Sequence, residues 1–175
     1  MKVYLAGFIQ GTKLEECVAW RKRIREHYDN WKTTLDNDDK KLFPKGIPAV
    51  VKYPITWLDP LNGKELATIS QDGLKSSCPP HAIVHRDFNC VMDADLIIAN
   101  MNTFGEKDRG LCGTICELAW AWEHRKPIIM ITNEVKYSEH PFTALFASWI
   151  VKDVDELLEK KCINYFFKGK NSAIY

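Results

Sequence analysis

The chain has 175 residues, enough for one domain whose core needs no disulfide or metal staples. Its 24 basic and 23 acidic residues leave a formal net charge of +1, and 46% hydrophobic against 27% charged residues is an ordinary globular mix. That balance supplies no field for nucleic acid or a membrane surface, and no apolar run approaches the roughly 20 residues that a membrane span needs.

The opening Met1-Lys2-Val3-Tyr4-Leu5-Ala6-Gly7 is too short and too soon interrupted for a signal peptide, and reads as a first strand over Lys2 to Ala6 that turns at Gly7. Thr12 is a helix cap, and Leu14, Cys17, Val18, Ile24 and Tyr28 recur at helical spacing after it. Polar residues 30–41 predict an exposed connection. Residues 47–53, interrupted by Pro48, predict a second strand that lies near a sheet edge or starts late. Residues 54–80 read as an irregular loop holding Trp57, Asp59, Pro60, Gly63 and Gly73, and a loop of that length is more often functional than idle.

Residues 81–92 carry a helical pattern, and Leu96-Ile97-Ile98-Ala99 is the fully apolar run of a central parallel strand. A loop over 101–112 leads into a predicted helix over 114–124. Residues 127–131 form another buried strand, and a last short strand covers 148–151. Helices are predicted over 139–146 and 154–161.

Strands alternating with helices imply an α/β fold, a parallel sheet covered on both faces. Ligands of such sheets bind at the carboxyl ends of the strands, where the strand order reverses, which selects the loops after Ala6, Tyr53, Ala99 and Ile131. No internal repeat, low-complexity stretch or interdomain linker is visible. The six cysteines, Cys17, Cys78, Cys90, Cys112, Cys116 and Cys162, read as reduced thiols of a cytoplasmic protein. Cys112 and Cys116 lie four apart, but with only His124 nearby they are too few for a metal site.

The chemistry concentrates in Gly113-Thr114-Ile115-Cys116-Glu117-Leu118-Ala119, which opens a helix after a central strand. Thr-x-x-Glu is a capping box, with Thr114 as the cap and Glu117 reaching back to its N–H. The same placement suits a carboxylate nucleophile, because the positive helix end favours its ionised form and Gly113 lets substrate approach the backbone. Asp87 precedes the central strand by two helical turns, as a solvated helix charge or a site acid. Asp95 caps or turns the chain, and Asn100 and Asn102 fall at the carboxyl end of the strand. Tyr4 is a core position whose hydroxyl needs a partner if buried, and a carboxylate at the neighbouring strand's end would serve.

These segments together resemble the nucleoside 2-deoxyribosyltransferase family. The matching pieces are Val3-Tyr4-Leu5-Ala6-Gly7, Asp87 followed by Asp93-Ala94-Asp95-Leu96-Ile97-Ile98-Ala99-Asn100, the Gly113 to Ala119 heptapeptide, and Lys126-Pro127-Ile128-Ile129, in the family's order and spacing. The resemblance implies a single flavodoxin-like (Rossmann-like) domain over residues 1–175, a parallel five-stranded sheet with helices on both faces. It implies a double displacement in which Glu117 attacks the anomeric carbon, Asp87 serves the leaving base and Tyr4 orients Glu117.

By the same resemblance Gly7, Phe8, Trp57, Asn102, Gly113, Thr114 and Tyr175 bind substrate. Trp57 is a base-stacking residue or a core tryptophan, and Tyr175 a site residue or a frayed terminus. The substrates are nucleosides and free nucleobases, no metal or organic cofactor is needed, and sites are completed by a neighbouring subunit of a homo-oligomer. The chain departs from the family at Leu111, where an acidic residue is usual and Asp108 or Asn102 would have to substitute. It also departs at Thr143, where a neighbour-donated Asn is common, and in its first loop, Phe8 to Lys13. A related hydrolase of nucleoside 5′-monophosphates would share Glu117, with Gly11, Thr12 and Lys13 holding the phosphate. A non-catalytic nucleotide-binding domain is the reading from another class.

Overall fold

The computed structural model describes residues 1–9, 13–29, 55–61, 69–70, 73–74, 79–102 and 111–166. Its strands are β1 (Lys2–Gly7), β2 (Thr56–Leu58), β3 (Ile69–Ser70), β4 (Gly73–Leu74), β5 (Leu96–Asn100), β6 (Ile128–Ile131) and β7 (Trp149–Val151). Its helices are α1 (Leu14–Asp29), α2 (Pro80–Asp93), α3 (Cys112–Glu123), α4 (Val135–Ser138), α5 (Pro141–Phe146), α6 (Val154–Glu159) and α7 (Cys162–Tyr165). A five-stranded sheet runs in the order β2-β1-β5-β6-β7, and all its pairings are parallel. This is the flavodoxin-like order, and the direction of winding reverses between β1 and β5. β3 and β4 pair separately as a small antiparallel ribbon.

Period-2 alternation divides the sheet into two packed faces. Val3, Leu5, Leu96, Ile98, Ile129, Ile131 and Val151 point to one side, where Trp20, Ile24 and Tyr28 of α1 and Leu157 and Ile163 of α6 and α7 cover them. Tyr4, Ala6, Ile97, Ala99, Ile128 and Met130 point to the other, under Val91 of α2 and Leu118 and Ala121 of α3. β5 is buried at every residue, as a central strand covered on both faces must be.

The helix ends depart from the sequence expectation for physical reasons. The helix predicted over 139–146 begins at Pro141, and a separate single-turn helix that the sequence reading lacks, α4, precedes it; Pro141 has no N–H to continue α4 and instead starts α5, with His140 Nδ1 accepting from the Phe142 N–H at 3.3 Å. The helix predicted over 154–161 stops at Glu159, and Lys161, at φ 49°, turns the chain into α7. At the other end of α6, Asp153 caps by accepting from the Glu156 N–H at 2.8 Å. The edge strand beside β1 is Thr56–Leu58, inside the stretch read as irregular loop, since three residues are too few to display alternation. The strand predicted over 47–53 and the cap at Thr12 lie outside the described residues. Among the described residues no helix is long and apolar enough to cross a membrane.

Candidate active site

Three elements bring the site together at the switch point. β1 carries Tyr4, α3 follows β5 and carries Glu117, and α2 precedes β5 and carries Asp87. Tyr4 pairs in register with Ile97 and Leu58, so it lies on the face covered by α2 and α3. Its phenol is fully buried and donates to Oε1 of Glu117 at 2.6 Å, a charge-assisted distance.

Glu117 is itself buried, at 8% exposure. Burial pushes its pKa up to about 7, and the negative charge of Asp87 adds to the rise. The Tyr4 hydrogen bond, Arg21 and Arg86 act in the opposite direction. Burial, the Glu117 carboxylate and Asp87 hold the Tyr4 phenol well above its ordinary range, so it stays a donor. The two shifts describe one arrangement. A neutral phenol serves a buried carboxyl group that crosses between its charge states near neutrality.

The helix start differs from the capping-box expectation. α3 begins at Cys112, its cap position Leu111 offers no side-chain oxygen, and Thr114 lies within the first turn. Glu117 therefore sits in the second turn, where the helix dipole has faded. This fits a carboxyl group raised by burial rather than one held ionised by the helix end. Gly113 is exposed on the first turn, and a β-carbon placed there would meet nothing within 4 Å among the described residues, so this backbone is open to a ligand. Thr114 is buried beside it.

Asp87 is mostly buried, and Arg86 holds it at 2.9 Å through one η-nitrogen and 3.0 Å through Nε. Its charge reaches both Tyr4 and Glu117. Burial and then Asp87 also push the Cys90 thiol up, one turn further along α2. Asn102 links two loops of the carboxyl edge: its N–H donates to Oδ1 of buried Asn100 at 3.1 Å, and its own Oδ1 accepts from the Asn133 N–H at 3.1 Å.

Gly7 ends β1 where space is tight. A β-carbon there would lie 3.0 Å from the Trp20 ring and 3.2 Å from the Asn100 carbonyl. Phe8 packs half-buried on the Tyr4 face. Trp57 is not brought to Glu117. In register with Val3, it packs on the α1 face, and its indole donates to Asp29 at 3.0 Å. Thr143 is buried and its hydroxyl donates to the Tyr137 carbonyl. Tyr175, Gly11, Thr12 and Asp108 lie outside the described residues; Lys13 is exposed just before α1.

Two arginines near this centre escaped the sequence reading. Arg86 drew no reading of its own, although its position next to Asp87 is a usable signal. Arg21 follows Trp20 within the amphipathic pattern of α1, where a charge is expected to face water; it is instead fully buried. Among the described residues, no group of three or more His, Cys, Asp or Glu is placed to hold a metal ion.

No protein-family model matches the sequence, and no curated protein matches it. Solved structures do. A conserved protein from Enterococcus faecalis V583 is 15% identical over 94% of this chain and 98% of its own, with a TM-score of 0.54. The CMP N-glycosidase BcmB from Clostridium botulinum is 15% identical over 94% of this chain and 99% of its own, with a TM-score of 0.50. A 2-desoxiribosyltransferase from Leishmania mexicana is 19% identical over 78% of this chain and 71% of its own, at a TM-score of 0.47. At these identities what is shared is architecture: the chain has the flavodoxin-like, Rossmann-like fold that the Clostridium structure also has.

Proposed function

We propose that this chain is an enzyme acting on the N-glycosidic bond of nucleosides, transferring a 2-deoxyribosyl group between nucleobases with Glu117 as nucleophile. The observation that carries the reading is the buried Tyr4–Glu117 hydrogen bond of 2.6 Å at the switch point, with Asp87 in electrostatic reach of both. A carboxylate on C1′ of the sugar displaces the base. The C1′–N bond breaks, its electron pair leaves with the base, and the base nitrogen takes the proton that the Asp87 carboxyl group delivers, leaving Asp87 as a carboxylate. The sugar is then an ester of Glu117. A second base attacks C1′ and gives up its N–H proton to Asp87, the ester C–O bond breaks, and Glu117 returns as a carboxylate. Splitting one displacement into two is the gain of covalent catalysis. The developing positive charge on the sugar favours the ionised form of a carboxyl group whose pKa is near 7.

On this reading the partners are nucleosides and free nucleobases, and a second copy of the chain completes each site. Gly7, Phe8, Asn102, Gly113 and Thr114 supply the surrounding contacts. A second reading is hydrolysis of a nucleoside 5′-monophosphate by the same ester intermediate with water as acceptor. It is favoured by the fold shared with the CMP N-glycosidase over 94% of this chain.

One experiment separates the two. The protein is incubated with a 2′-deoxynucleoside, with and without a different free base, and the products are resolved by chromatography. A new nucleoside that forms only with the added base supports transfer. Free base and free sugar at a rate indifferent to the acceptor support hydrolysis, and the assay is repeated with 5′-monophosphates. Glu117→Ala should lower turnover about a thousandfold or more while leaving the fold intact. Near-normal turnover in that variant would sink both readings.

A further inference from the structure

Beside the Tyr4–Glu117 pair, at the carboxyl end of β1, lies a buried cation with no part in the reaction as written. Arg21 of α1 has no solvent exposure. One η-nitrogen donates to the Cys17 carbonyl at 2.6 Å and the other to the Gly7 carbonyl at 3.2 Å. Its guanidinium carbon stands 4.4 Å from the centre of the Trp20 ring. Nε lies 3.4 Å from Oδ1 of Asp59, close as a charge pair but not aligned as a hydrogen bond. Asp59, just past β2, is buried too; it accepts from the Leu61 N–H at 2.9 Å and takes a second cation, Arg25, at 3.3 Å.

Folding alone does not explain this cluster. A buried ion pair recovers its desolvation cost poorly, and apolar replacements of similar volume are often neutral or stabilising. The place and the charge balance are more informative. Arg21 ties α1 to Gly7, the last residue of β1, three residues beyond Tyr4. Among the described residues, one carboxylate facing two guanidiniums leaves positive charge in excess, and at buried Arg21 and Asp59 water screens little, while Arg25 is partly exposed.

We propose that Arg21 is a positioning residue of the Glu117 site: it fixes the Gly7 end of β1, and the excess charge of the Arg21–Asp59–Arg25 cluster favours a carboxylate at position 117. The proposal rests on the reading of Glu117 as nucleophile. Among the described residues, the groups that bear on Glu117 are Tyr4 of β1, Asp87, Arg86 and Cys90 of α2, and Arg21 of α1. Asp87 opposes ionisation. Tyr4, Arg86 and Arg21 favour it, and Arg21 is the fully buried cation among them.

The test measures Glu117 directly. The side-chain carboxyl signal is followed by carbon NMR through a pH titration of the intact chain, and is identified by its absence in Glu117→Gln. Arg21→Met should raise the midpoint by about half a pH unit or more, and Arg21→Lys, which keeps the charge, should raise it by less. Asp59→Asn leaves Arg21 in place and removes its neutralising partner, so the midpoint should fall. It serves as the test if Arg21→Met does not fold. An unmoved midpoint in Arg21→Met, or in Asp59→Asn where that variant is needed, overturns the proposal whatever the chain does to nucleosides. A moved midpoint in a chain inert towards nucleosides and nucleotides leaves Arg21 its electrostatic role and removes the reaction instead.

Discussion

At Glu117, two demands conflict. The proposed role as nucleophile needs the ionised form, yet burial raises this carboxyl group to about 7 and favours its neutral form. If the carboxylate is the active form, turnover at limiting substrate rises with pH through about 7 and falls about tenfold per unit below it. Tyr4→Phe removes the phenol's hydrogen bond to the carboxylate, so the profile should shift to higher pH and turnover at pH 7 should drop about tenfold to a hundredfold. A profile unmoved by Tyr4→Phe would separate the tyrosine from the chemistry. The same conflict has a stability consequence. The folded group titrates near 7 and the unfolded one near the ordinary value of 4.5, so folding takes up a proton between those limits. Stability contributed at low pH is therefore lost as pH rises from 4.5 to 7 and is fully lost above. Glu117→Gln does not titrate. It should match the native protein near pH 4 and exceed it above pH 7 by on the order of 3 kcal/mol, read from urea melts at the two pH values. Equal stability of the two proteins at pH 8 would mean that the carboxyl group is not desolvated as the structure has it.

At the scale of elements, the strongly patterned pieces were legible and the special ones were not. The apolar run of β5 and the amphipathic repeat of α1 announce themselves, since each buries a long stripe. The start of α3 does not, because the chain enters it with an apolar Leu111 and no cap, and Thr114 imitates one. β2 is too short to show a period, so the sequence leaves Trp57 open between stacking on a base and packing in the core. It is a strand residue on the far face, against α1. Trp57→Phe should therefore lower stability through lost packing and its lost bond to Asp29, yet leave base preference unchanged, as measured by competition between two acceptor bases. A changed preference would return Trp57 to the site. Contacts between distant elements are likewise invisible in sequence. Lys126 reaches back to the carbonyls of Met92 and Ala94 at 2.7 and 2.8 Å and closes the open end of α2, the helix that presents Asp87. Lys126→Met keeps most of the apolar stem and removes both bonds. It should cost about 1 to 2 kcal/mol in a denaturant melt.

The whole molecule is a sheet with two different faces, and the site belongs to one of them. Five strands in flavodoxin order put a reversal between β1 and β5, and the elements next to that reversal supply Tyr4, Asp87 and Glu117. Sequence reasoning reaches this arrangement because strand alternation, helix order and ligand edge follow from general rules. It stops at the Arg21 cluster, where a residue type that belongs in water is enclosed by tertiary packing. The two faces can be told apart by experiment at neighbouring residues of β5. Ile97 and Ile98 are both fully buried in the central strand, so truncating either to alanine should cost about 2 to 5 kcal/mol. Ile98 lies on the α1 face with Leu5 and Ile129. Ile97 lies in register with Tyr4 under α2 and α3, where a cavity lets the phenol move away from Glu117. Under conditions where both variants are folded, Ile97→Ala should lose turnover and shift its pH profile upward, while Ile98→Ala keeps both. The pair is read by a urea melt and a pH–rate profile on each variant. Equal losses of turnover would mean that the sheet transmits the damage through its plane, and that the site is not the property of one face.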